Sequence, residues 1–382
     1  MMSCYLNAGN LPPSSSVCFI INSFGASLTN TCLNMNPVWH SYLQHRGAIF
    51  REDCIVSYGN AAAELESTRS ANVLSDLSHF GLIHFWGEDA ETFLQGQLSC
   101  DIRRATTSTA SYGSYCNPKG RILATFLIWR TTGDGYLMQL PAILLAGIQK
   151  RLAMYVLRAK VKLADSSGAW VHIGVAGPHA AALLRKILGE IPVVPLGVRH
   201  GERGSIIRLA EDRFQLLILP EQAPTIWEDL SRNATQVGKP CWDWLEIRAG
   251  IPHILPATQE QFVPQMVNLD TLGGISFQKG CYPGQEIVAR TQYLGKIKRR
   301  MYLANVRPAA GDLPIEAGDE LFSADLGEQS AGMVVNPASS SDGGTDLLAV
   351  IQTSSVEAGE IHWKSLEGPA LGIMPLPYSA NQ

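Results

Sequence analysis

"GISFQKGCYPGQEIVAR" spans Gly274 to Arg290. Its apolar run, Ile275 to Phe277, gives way to Lys279, and a single cysteine, Cys281, then sits between Gly280 and Gly284. Pro283 suits the first position of a helix, and the chain continues with Ile287, Val288 and a Glu286/Arg290 pair at i,i+4 spacing. The stretch reads as a strand-to-helix joint with a thiol just ahead of the helix. Aligned peptide dipoles and a nearby Lys279 would favour a thiolate there, and the glycines would let another molecule approach closely. The plain alternative is a small residue filling a turn, and the spacing leaves both open.

Just downstream, Arg290, Lys296, Lys298, Arg299 and Arg300 form a basic run. It reads either as a solvated face at a domain junction or as an anion site for a polyglutamate tail, a phosphate or RNA. Upstream, "CWDWLEIRAGIP" (241–252) sets Trp242 and Trp244 beside Glu246 and Arg248. These tryptophans suit either a core or the wall of a site for a flat heteroaromatic ligand. Two further patterns, "LQGQLSCD" (94–101) and "CNPKGRIL" (116–123), are weak on their own.

Beyond this region strands and helices are mixed. "GLIHFWG" (81–87), "RILATFLIWR" (121–130) and "YLMQL" (136–140) read as strands, the last two joined through "GDG" (133–135). "AILLAGIQKRLAMYVLRAKVKL" (142–163) carries helical apolar spacing throughout. "WVHIGVAG" and "FQLLIL" each read as a strand leading into a helix. From Met301 the pieces become short and are separated by Gly, Pro, Asp and Ser, as in a small β-barrel. "PASSSDGGTD" (337–346) reads as an exposed hairpin tip.

The bulk numbers narrow the classes. A chain of 382 residues, 46% hydrophobic and 17% charged, has the composition of a globular protein of two or three domains. A net charge of −4 argues against a broadly basic nucleic-acid binder, and no apolar run is long enough to span a membrane. The eight cysteines form no C-x-x-C and no zinc-finger spacing with histidine, so no metal site is expected; they read as reduced thiols of a cytoplasmic protein. Phosphate-loop, dinucleotide, zincin and α/β-hydrolase motifs are absent. Met1 to Trp39 contains no Asp, Glu, Lys or Arg, which suits neither a secretory nor a mitochondrial leader. Residues 1–34 are therefore expected to form a disordered extension outside the fold, with Met35 as an alternative start.

The residues quoted carry a family resemblance. "FVPQMVNLDTLGGISFQKGCYPGQEIVARTQYLGKIKRR" (262–300) resembles the signature of the YgfZ family, folate-binding relatives of the glycine cleavage T-protein. That family's Lys-Gly-Cys-Tyr-x-Gly-Gln-Glu motif matches at Lys279, Gly280, Cys281, Tyr282, Gly284, Gln285 and Glu286. "FLQGQLSCD", "CNPKGRILATF", "AGIP" and the terminal "PLPYS" follow the family's order, and the resemblance covers roughly residues 36–382.

The resemblance implies an α+β fold: a three-part cloverleaf with two mixed α/β units (35–300) and a C-terminal β-barrel (301–382) around a folate channel. It implies a monomer that binds tetrahydrofolate or another folate. It also implies support for the assembly or repair of iron–sulfur enzymes, among them tRNA methylthiotransferases, without direct nucleic-acid binding. Cys281 would be the functional thiol, with Lys279 beside it. Phe80, in place of a family tryptophan, and Trp242 would contact folate; Arg248, Tyr282, Gln285, Glu286 and Arg290 complete the implied binding set.

Two departures from the T-protein stand out. That enzyme carries an acidic pair, one member catalytic, shortly after the glycine matched by Gly120. Here the stretch is "RILATFLI", with Leu123 and Ala124 where acids are expected and no acid before Asp134. The T-protein's pterin-holding glutamate falls on Arg248. A folate-dependent aminomethyltransferase and a cysteine-nucleophile enzyme with a histidine base remain the alternatives.

Overall fold

The computed structural model describes residues 35–133, 135–293, 297–308 and 313–379. The expectations for residues 1–34, Asp134 and Lys296 lie outside them. The two strand-then-helix stretches become neighbours in a six-stranded sheet. Its order is Val198–Gly201, Gly204–Arg208, Arg213–Ile218, Val171–Ala176, Val73–Asp76 and Thr235–Val237. Every pairing is antiparallel except the last, which is parallel. The second sheet is wholly antiparallel, in the order Ser111–Cys116, Ile122–Arg130, Gly135–Pro141, Phe80–Trp86 and Lys162–Asp165.

The two sheets face each other. Leu82, Leu127, Trp129 and Leu137 from the second pack with Val198, Ile207 and Leu217 from the first. Burying each such side chain is worth about 1.5–3 kcal/mol. Strands covered on both faces explain the near-continuous apolar runs. Helices Ala180–Leu188 and Ala223–Ser231 turn Leu183, Leu184, Ile226, Trp227 and Leu230 into the core of the first sheet. Helix Ala142–Ala153 turns Leu144, Leu145, Ile148 and Leu152 toward the second.

That helix is shorter than its apolar spacing suggested. It stops at Ala153, and the chain turns at Leu157, whose φ is +46°. Met154 and Leu157 are exposed, so the spacing continues without a surface to bury against.

The third sheet has the order His362–Trp363, Glu320–Phe322, Ser330–Ser339, Thr345–Gln352, Arg299–Val306 and Gly372–Met374, all antiparallel. It curls around Val334, Leu347, Ala349, Ile351 and Trp363. A register shift between Val334 and Asn336 marks a bulge in its longest strand, a feature that bends a sheet. Among the described residues its outer strands, two and three residues long, do not pair with each other. The expected barrel is thus a curled, open half-barrel.

Helix Lys239–Arg248 ties these parts together. Trp242 is fully buried against Gly174 of the first sheet, where a methyl group would lie 2.4 Å from the indole. Trp244 donates its indole N–H to Asp346 of the third sheet at 2.8 Å. Both tryptophans are therefore core.

Asp76 ends a strand of the first sheet and is buried. It accepts hydrogen bonds from the Trp39 indole at 2.8 Å and from Ser78 Oγ at 2.9 Å. Burial raises its carboxyl to about 6 despite these donors. The folded state therefore holds this proton more tightly than the unfolded chain, and the contribution falls as pH rises from about 4 to 6. Relative to Asp76→Asn, the wild type is expected to lose roughly 2–3 kcal/mol of unfolding free energy across that interval, measured by urea titration at each pH.

Candidate functional site

Where the facing sheets part lies a narrow, partly open cleft with a cavity volume of about 30 Å³. Phe80, Tyr112 and Phe126 supply aromatic surface, and Leu209, Leu269 and Leu272 supply aliphatic surface. Gln215 and Gln139, one from each sheet, meet side chain to side chain on its wall. His253 lies with its ring centroid 5.1 Å from that of Phe80. Phe80 also lies tilted against His79, ring centroids 4.4 Å apart; burial holds His79 well below its usual range, so that ring is neutral near pH 7.

Glu246 is the acid among the lining residues and is 5% exposed. Its carboxylate lies 3.6 Å from Arg213 Nη1 and 3.5 Å from His253 Nε2. Burial alone would raise its carboxyl, but Arg213, His253 and Trp242 outweigh burial and hold it below the ordinary range. It is therefore ionised at neutral pH. Trp242, one turn earlier on the helix, does not line the cleft; Arg213 lies over its ring at 5.9 Å. Arg248, two residues beyond Glu246, faces the other way. It covers the Trp244 ring at 5.8 Å and lies 3.6 Å from Asp346.

The motif loop forms a second focus. Lys279 and Tyr282 point inward and are buried, while Cys281 between them is exposed. Lys279 Nζ donates to the carbonyls of Leu98 at 2.6 Å and Cys100 at 2.9 Å, and burial lowers its ammonium to about 8. Tyr282 lies under that ammonium, 5.2 Å from ring centroid to Nζ. Gly284 has φ +81° and rests on the Asn117–Arg121 turn. A methyl group there would come within 2.5 Å of Gly120 N and Cα and of Asn117 O, so glycine is required. Asn117 Oδ1 shapes that turn by accepting from Lys119 N and Arg121 N. Ser99 Oγ donates to Gly274 O at 2.6 Å. The two weak patterns of the sequence are thus the floor beneath the cysteine loop.

The geometry corrects the expected electrostatics. Helix Gln285–Tyr293 begins four positions after Cys281, so Cys281 is not at its first turn. Lys279 directs its ammonium into the protein, onto carbonyls. Gln285 is half-buried, whereas Glu286 and Arg290 are exposed. Arg300 leaves the basic run by pairing with Asp270 at 2.8 Å. The structure therefore gathers Phe80 at the cleft and Cys281, Lys279 and Tyr282 at the loop, and leaves Arg248 outside both.

Tyr112, Gln139, Arg213, Gln215 and His253 were not singled out from sequence. A lone glutamine inside "YLMQL" and another inside "FQLLIL" were the available signal, since a polar residue in a doubly covered strand needs a buried partner.

A family model for the GCVT N-terminal domain matches residues 24–272. Curated proteins named tRNA-modifying protein YgfZ are similar over most of the chain. The one from Edwardsiella ictaluri is 32% identical, covering 78% of this chain and 90% of its own. That from Yersinia enterocolitica is 31% identical, covering 83% and 96%. The chain belongs to the YgfZ family. Among solved structures, the glycine cleavage system aminomethyltransferase T from Bartonella henselae superposes with a TM-score of 0.75 at 20% identity. It covers 91% of this YgfZ chain and 98% of its own, which gives the chain a T-protein-like fold. No described helix is long and apolar enough to cross a membrane.

The described cysteines differ sharply in access. Burial raises the thiols of Cys54 and Cys241 to about 11 and those of Cys100 and Cys116 to about 12. In native protein treated briefly with iodoacetamide, Cys281 is expected to alkylate at least about tenfold faster than Cys100 or Cys116. Peptide mass mapping reads the rates, and equal rates would contradict the closed packing of the loop on its floor.

Proposed function

We propose that this chain binds a tetrahydrofolate in the cleft and acts in the cytoplasm as an accessory to iron–sulfur enzymes. Its clients would include the enzymes that methylthiolate tRNA, and Cys281 would be the functional thiol. One observation carries the reading: an outward-facing cysteine, within the motif that resembles the family's, shares a chain with a narrow aromatic-lined cleft. Phe80 offers the cleft a stacking face, and Trp242 acts one layer back as the platform beneath Arg213. The names of the curated relatives support the link to tRNA modification.

The aminomethyltransferase reading lacks its acid. Leu123 and Ala124 are buried and apolar on strand Ile122–Arg130. Glu246 does bring a carboxylate to the cleft, but from a helix, and paired with Arg213. An acid held ionised in this way is poorly suited to donating or relaying a proton near neutrality.

Two measurements test the reading. Titration calorimetry should give saturable heat with tetrahydrofolate; no such heat at millimolar ligand would remove the folate half. A strain deleted for its own relative should regain tRNA methylthiolation with the wild-type gene but not with Cys281→Ser. The substituted protein is expected to fold normally, because the side chain is exposed. Equal rescue by serine would make the thiol structural.

A further inference from the structure

The cleft is too small for what it would hold. Its cavity of about 30 Å³ has room for about two water molecules, whereas a small-molecule site takes roughly 300–1,000 Å³. A wall must therefore give, and most of them cannot. Phe126, Leu127, Gln139 and Gln215 lie on strands with paired neighbours on both sides. Glu246 lies on the helix Lys239–Arg248, pinned by Arg213. Two lining stretches, 251–253 and 269–272, belong to neither strand nor helix. The end of the chain bridges them. Past Met374, which pairs with Leu303, residues 375–378 (Pro-Leu-Pro-Tyr) run over Gly250 and reach Asn268, the positions just ahead of the two stretches. Tyr378 donates its hydroxyl to Gly250 O at 2.7 Å, and the Asn268 side chain sits beside the same hydroxyl. A methyl group on Gly250 would come within 2.7 Å of the Tyr378 ring and 2.9 Å of Leu376, so the ring rests directly on glycine backbone. Burial first, then Glu246 and Tyr378, raise the hydroxyl of the lining Tyr112, which sets Tyr378 beside the cleft. The attachment is slight. Pro375 and Pro377 have no N–H, and among the described residues the backbone of 375–379 makes no hydrogen bond.

We infer that residues 375–378 are the gate of the cleft: Tyr378 leaves Gly250, the strap swings about Met374, and a ligand enters between the stretches 251–253 and 269–272. The two prolines stiffen the strap, so it moves as one piece. The inference rests on the folate reading for the identity of the ligand and adds the moving part that such a ligand needs. The structure is the closed state, and the fraction of molecules with the strap lifted limits the rate of entry.

The test uses the full chain. Tyr378→Phe removes the hydroxyl and keeps the ring. Stopped-flow tryptophan fluorescence with tetrahydrofolate should give an association rate constant about two- to tenfold above wild type, the range for losing one hydrogen bond. Amide exchange without ligand, read by mass spectrometry, should quicken by a similar factor in peptides carrying Ile251 and Leu269, and not in the helix Ala180–Leu188. Gly250→Ala, which presses on Tyr378 from beneath, should move both readings the same way. If wild type binds folate and neither variant associates faster, the gate is overturned and the folate reading stands. If neither wild type nor variants bind, the folate reading is overturned and exchange alone judges the strap. Faster exchange confined to the two peptides would then support it, and unchanged or uniformly faster exchange would overturn it.

Discussion

The ion pair between Arg213 and Glu246 joins the first sheet to the helix Lys239–Arg248, and much of the architecture follows from it. Two charges taken from water are costly unless each finds a counterpart. Arg213 finds Glu246, the Leu245 carbonyl and the face of Trp242. The helix can then sink Trp242 against Gly174 on one side and send Trp244 to Asp346 on the other. One short helix thereby fixes the third sheet relative to the first and leaves a charged wall on the cleft between the two facing sheets.

Much of this was legible in the residues. The doubly covered strands showed as unbroken apolar runs, and the turn at 340–344 showed as Ser, Asp and Gly between strands. The family resemblance read from residues 262–300 agrees with the family of the curated relatives. What escaped notice were side chains whose meaning depends on a partner far along the chain. Gln139 and Gln215 are 76 positions apart, and Arg213 and Glu246 come from different elements. Nothing local distinguishes such a glutamine from one facing water.

The helical spacing past Ala153 misled because periodicity reports only what could be buried. Likewise, the position of Lys279 two residues from Cys281 suggested a charge beside the thiol. Alternation of inward and outward side chains, with free carbonyls below, drew the ammonium inward instead. Sequence distance gave proximity without direction.

Gly284 resting on Gly120 has a mechanical meaning. Backbone meets backbone there with no side chain between, so the loop cannot sink or rotate without carrying the Asn117–Arg121 turn with it. Lys279 pins the same loop from the other end. The sulfur of Cys281 is thus presented from a stiff mount. Under the proposed role, a molecule that bonded to it would meet one approach direction and surrender little chain entropy from this side. A poorly angled bond would be relieved in the visitor, because the mount has little compliance to offer.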